Sequence, residues 1–168
     1  MPLTSLEDVL AEQIGDLRSA EDQLIEALPK MARAASTAEL REAFENHLEE
    51  TRGHAERLRS IAGAIGTPVP SETCEAMKGL IKEGEEIIQE GGDPVAVDVA
   101  LIAAAQRVEH YEIAAYGTAR ELAKELGHDD AAGLLDETLD EESAADTLLS
   151  KIATGGLLKS GLNAQASH

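Results

Sequence analysis

Glu109 and Glu112 stand three residues apart in the alanine-rich stretch VALIAAAQRVEHYEIAAYG, Val99–Gly117. On an α-helix that spacing sets two side chains about 60° apart, one turn above the other. Ile102, Ala105, Ile113 and Tyr116 share their arc, so the two carboxylates face the same way as an apolar stripe. Glu21 is enclosed similarly by Ile14, Leu17, Leu24, Ile25 and Leu28, and Glu141 is flanked by Leu134, Leu148 and Ile152. Glu50 lies nearer the edge of its stripe, beside His47, His54 and Ile61.

An unpaired carboxylate taken out of water costs several kcal/mol or is forced to protonate. Like charges gathered together raise one another's pKa further. Two divalent or trivalent cations remove both difficulties, because carboxylates bind and bridge them. The candidate metal ligands are therefore Glu21, Glu50, Glu109, Glu112 and Glu141. His54, four residues after Glu50, adds a nitrogen donor, which favours iron or manganese over calcium. His47 and Tyr116 are placed as hydrogen-bonding partners of the ligands. Arg57 is the main basic residue able to form an internal salt bridge, His110 and Tyr111 point away from the Glu109 arc, and Cys74 is expected to be a buried, inert thiol.

The elements that must carry these residues are helices. Aromatic residues make up 2% of the chain, and Ala and Leu fill the apolar positions. Thr4 and Glu7 have capping-box spacing at the start of a first helix that runs to about Lys30, where Pro29 marks a kink or an end. Ser36 and Glu39 have the same spacing before a second helix that reaches about Ile65. After GTPVP, a shorter helix covers about Glu72–Glu90; Asp93 then caps a third long helix, with Pro94 in its first turn, to about Leu126. A fourth long helix runs from about Asp130 to Ala153. The short links make the first and last pairs antiparallel hairpins, while residues 67–93, 27 in all, can cross the length of the bundle. The pattern predicts an all-α, ferritin-like antiparallel four-helix bundle with an additional short helix in its long crossover. It would occupy residues 1–158, with a flexible C-terminal tail over 159–168.

The 168 residues suit one domain, and 33 acidic against 14 basic residues give a formal charge of −19. Such a chain repels nucleic acid and anionic lipid, and no stretch has the length and apolarity of a membrane span. The single cysteine and the absence of a signal-like N-terminus favour the cytoplasm. No CxxC, phosphate-binding loop or Ser/His/Asp arrangement competes with the carboxylates.

The stretches SAEDQLIEALPKMARA, HLEETRGHAERL, CEAMKGLIKE, ALIAAAQRVEHYEIAAYG and LLDETLDEESAAD together give a sequence that resembles the YciF/YciE family of bacterial stress proteins, within the ferritin-like superfamily. The resemblance covers nearly the whole chain and implies a homodimer with a rubrerythrin-like dinuclear site. By motif, Glu21 matches the single Glu of the first helix, Glu50 that of the second, Glu109 and Glu112 the E-x-x-E of the third, and Glu141 the Glu of the fourth. The His that rubrerythrins and ferritins place three residues after the second-helix Glu is Gly53 here, and Ala145 stands four residues after Glu141, which leaves His54 as the nearby nitrogen donor. The expectation is a stress-response protein with two metal ions, iron first and manganese second. They would react with O2 or H2O2 in iron oxidation or peroxide removal, with electrons from an external donor. The alternative is a non-enzymatic helical dimer whose metal site is structural, or which serves as a protein-interaction module.

Overall fold

The computed structural model describes residues 3–156 and 159–166. Helix α1 spans Leu6–Ala34, α2 Ala38–Ala64, α3 Glu75–Glu90, α4 Pro94–Glu125, α5 Asp129–Thr154 and α6 Leu162–Gln165. The first cap falls one residue later than the spacing of Thr4 and Glu7 predicts. Ser5 is the N-cap, its hydroxyl accepting from the Asp8 amide at 3.2 Å while the Asp8 carboxylate accepts from the amides of Thr4 and Ser5. Nor does Pro29 end α1. The lost hydrogen bond at the proline is outweighed because Leu28, Ala32 and Ala35 are buried on either side of it, and the helix continues to Ala34.

The expected Ser36–Glu39 box does not form either. Thr37 is the N-cap of α2, with no side-chain cap from its own helix. The donors there go to Asp98 on α4, which accepts from the Ser36 amide at 2.8 Å, the Thr37 amide at 2.9 Å, and the two hydroxyls at 3.0 and 2.8 Å. That contact joins the start of α2 to the start of α4, so the two helices leave the same end of the bundle and run parallel. The crossover makes this possible. Its loop presses Pro70 onto Gly15, where a Cβ would lie 2.6 Å from the Pro70 carbonyl oxygen, and α3 then lies across α1 and α4. Asp93 and Pro94 open α4 as expected. The helix ends in a Schellman turn at Gly127 (φ 75°), with the His128 amide donating to the Ala123 carbonyl and the Gly127 amide to that of Lys124.

The C-terminal segment differs from a free tail. Gly155–Gly156 and Lys159–Ser160 pair antiparallel, and α6 buries Leu162 in the core. No helix among the described residues is long and apolar enough to cross a membrane.

The apolar core is divided in two. Leu24, Leu28, Leu40, Phe44, Leu101, Ile102, Leu149 and Ile152 fill the half nearest the start of α4. Leu10, Ile14, Leu17, Leu58, Ile61, Ala119, Ala123 and Leu135 fill the other half. Each long helix passes from one cluster to the other through a buried polar layer, made of Glu21 on α1, His47, Thr51 and His54 on α2, Glu109 and Glu112 on α4, and Thr138 and Glu142 on α5.

Candidate metal centre

That layer contains two groups of convergent ligand atoms. In one, atoms of His47, Glu109, Glu112 and Glu142 all lie within 4.8 Å of one another; in the other, atoms of Glu21, His54 and Glu142 do. Glu142 belongs to both. His47 Nε2 stands 3.3 Å from Glu109 Oε1 and 3.6 Å from Glu142 Oε2. His54 Nδ1 stands 2.9 Å from Glu142 Oε1 and 3.6 Å from Glu21 Oε1. These atoms are close, yet most of them lie off the line of a hydrogen bond. Glu21 Oε2, His47 Nε2, His54 Nδ1, Glu109 Oε2 and both carboxylate oxygens of Glu112 and Glu142 are buried with no hydrogen-bond partner. Buried polar atoms in native proteins are nearly always satisfied, so eight such atoms in one layer, all Lewis bases, fit a metal-binding role.

Glu21, His54, Glu109 and Glu112, expected as ligands, are brought together. Glu50 and Glu141 are not part of either group. Glu50 remains 47% exposed, and Glu141 turns to the bundle edge, where Arg57 Nη1 donates to it at 2.5 Å and Arg57 Nη2 at 3.0 Å. Their places inside are taken by His47 and Glu142. On α5 the inward carboxylate lies one residue beyond Glu141, which is about 100° of helical phase. Leu135, Glu142 and Leu149 repeat at seven-residue intervals and are all buried, whereas Leu148, counted in the expected stripe, is exposed. On α2 the same interval joins Leu40, His47, His54 and Ile61. Both signals are present in the sequence.

Glu50 and Glu141 nonetheless serve the layer. The Glu50 carboxylate lies 3.4 Å from His47 Nδ1, and Glu141 Oε2 lies 2.9 Å from His54 Nε2. With each outer carboxylate accepting from one ring N–H, the nitrogen aimed inward, able to ligate once it gives up its proton, is Nε2 for His47 and Nδ1 for His54. These are the two partnerless nitrogens. An outer carboxylate that sets the tautomer and orientation of a ligating imidazole is a general feature of metal sites. Tyr116 completes the arrangement by donating its hydroxyl to Glu21 Oε1, which leaves Oε2 free.

Without a cation the layer must carry protons. Burial, joined by the charges of Glu142, Glu21 and Glu109, pushes Glu112 well above the usual carboxylate range. Burial also pushes Glu109 well above it despite the opposing charge of His47, and raises Glu21 despite His54. Burial alone would neutralise the imidazoles, but Glu109, Glu50 and Glu142 raise His47 to about 9, and Glu142 with Glu21 raises His54 to about 10. Burial likewise opposes ionisation of Glu142, and the contact with His54 and the charges of both imidazoles outweigh it, lowering its pKa. The raised values of His47, His54, Glu109 and Glu112 all favour their protonated forms, and cations bound here would displace those protons.

The other polar residues singled out by the sequence lie elsewhere. Tyr111 donates to Asp16 and contacts Cys74 Sγ at 3.1 Å, a link that ties the buried thiol at the start of α3 to the bundle. Burial raises the pKa of that thiol. His110 is exposed and 3.6 Å from Asp146.

The DUF892 family, described as a domain of unknown function, matches residues 5–162. The chain is 45% identical to the protein YciF of Escherichia coli K12 over 164 residues, 97% of this chain and 99% of that one. The crystal structure of the E. coli stress protein YciF superposes with a TM-score of 0.86 at 47% identity, covering 89% of this chain and 94% of that chain. YcfI from Rhodopseudomonas palustris superposes with a TM-score of 0.85 at 43% identity, covering 89% and 96%.

Proposed function

The chain belongs to the DUF892 family, and we propose that within it the protein holds two iron or manganese ions in the polar layer and uses them against O2 or H2O2 in a stress response. The observation that carries this reading is the set of eight partnerless buried donor atoms. Glu109, Glu112 and His47 would hold one ion, Glu21 and His54 the other, and Glu142 would be shared. A pair of such ions supplies two-electron chemistry at an oxidant, each passing from the divalent to the trivalent state.

The protein's own residues account for the rest. Four carboxylates offer hard oxygen donors that favour the higher charge, and two imidazoles keep the set from being calcium-like. Glu50 and Glu141 hold the imidazoles in the required tautomers, and Arg57 holds Glu141. Tyr116 positions Glu21 and is itself kept protonated, since burial and the charges of Glu21 and Glu112 push its pKa well up. The apolar clusters on either side exclude bulk water from the layer. Electrons for repeated turnover come from an external donor, and the protein works as a homodimer.

The test is reconstitution of the metal-free protein with Fe(II). Two ions per chain should bind, and added H2O2 should oxidise them in a burst. Glu142→Ala, which removes the shared ligand, should abolish binding of both. Ions that bind and raise the melting temperature without oxidation would make the site structural. Absence of binding by the wild-type protein would overturn the centre.

A further inference from the structure

The layer is covered at the level of His54 and accessible at the level of His47. Around His54, Tyr116 caps Glu21 and the Arg57–Glu141 pair, bridging α2 and α5, covers His54 Nε2. Farther along the same α2–α5 seam, beside His47, a recess of about 180 Å³ opens. Ala43, Phe44, Ala144, Ala145, Leu148 and Leu149 form its apolar walls, and Asn46, Glu50, His47 and Glu109 line its polar side.

The polar side is graded inward. Side-chain exposure falls from 47% at Glu50 to 8% at His47, 3% at Glu109 and 0% at Glu142. Glu50 Oε2 stands 3.4 Å from His47 Nδ1, and on the inner edge of the same ring Nε2 stands 3.3 Å from Glu109 Oε1 and 3.6 Å from Glu142 Oε2. His47 Nε2 and Glu109 Oε2, at the floor, are buried and partnerless. Two larger recesses, one between α1 and residues 70–73 and one between α1 and α3, touch none of the layer.

The geometry points to this recess as the port through which divalent cations reach the centre, with Glu50 as the first carboxylate they meet. The inference rests on the metal centre proposed above. A cation entering here exchanges its water for ligand atoms one step at a time and is never left in an apolar medium, which a path through either core cluster would require. The chain's acidic surface concentrates cations at such a mouth. On the opposite wall Ala145 and Ala144 leave the space open, and Leu148 narrows its rim.

The experiment is the rate of Co(II) uptake by the metal-free full-length protein, followed by the visible absorption of bound cobalt. Ala145→Phe places a ring in the recess at a position that supplies no ligand itself and should slow uptake by about tenfold while leaving the final stoichiometry unchanged. Leu148→Ala, at an exposed position that does not threaten folding, should speed it. Uptake at the wild-type rate in both variants overturns the port while leaving the centre standing. A wild-type protein that binds no Co(II) overturns both.

Discussion

Asp98 and Glu112 are both fully buried carboxylates on α4, one near its start and one at its middle. They differ in what surrounds them. Asp98 accepts four hydrogen bonds from two residues at the head of α2, so its charge is solvated by the protein itself. Glu112 accepts none, and its nearest polar neighbours include three further carboxylates. Both side chains are carboxylic acids, and both are buried to the same degree. A buried carboxylate with both oxygens engaged by the protein is a structural fastening, and one with neither engaged, among others like it, has the surroundings that could suit a cation.

Substitutions at the two positions should therefore move stability in opposite directions. Asp98→Ala leaves the amides and hydroxyls of Ser36 and Thr37 without partners at a helix start and should destabilise the protein by about 2–4 kcal/mol, while metal stoichiometry is retained. Denaturant unfolding of the metal-free variant measures this, and a change below experimental scatter would break the contrast. Glu112→Leu should instead stabilise the metal-free protein by about 1–3 kcal/mol, because an unsatisfied buried carboxyl is replaced by an apolar group of similar volume. The same variant should lose metal. A metal-free Glu112→Leu protein that unfolds more easily than wild type would mean that Glu112 is already satisfied by something other than a cation.

The smallest effect sharpens the comparison through pH. His47 and His54 have folded-state values of about 9 and 10, so their stabilising contribution is complete below the unfolded value of 6.5 and lost as pH rises through 9 to 10. Glu109 and Glu112 act with the same sign, since the folded state keeps protons that the unfolded chain releases above 4.5. The metal-free protein should accordingly lose stability between pH 7 and 10. The metal-loaded protein, whose ligands have already given up their protons, should show a much flatter profile. Melting temperatures measured across that range decide it, and parallel profiles would contradict the assignment of these protons.

The two halves of α4 also show why sequence reasoning went further in some places than in others. Helix order, the crossover, the Asp93–Pro94 start of α4 and the inward set of Glu21, Glu109, Glu112 and His54 all follow from periodicity and local punctuation, which act over a few residues. Glu21 and Glu112 were legible because apolar residues surround them on their own helices. Glu141 and Glu142 are adjacent acids on one helix, and the choice between them turns on about 100° of rotation. The seven-residue interval through Leu135 and Leu149 favours Glu142, but Leu148 and Leu134 supply a rival stripe that only packing against α2 and α4 eliminates.

By itself the sequence determined that this chain is an all-helical bundle with a crossover and that acids from its long helices face inward, because helical period and apolar spacing are local properties. The tertiary structure decided which acids stay inside. Arg57 is 84 residues from Glu141 in the chain, and the short contact between them draws that carboxylate to the bundle edge. Asp98 fastens a helix end 61 and 62 residues away. Ion pairs and hydrogen bonds across such separations depend on how helices dock, and no pattern along one helix encodes them.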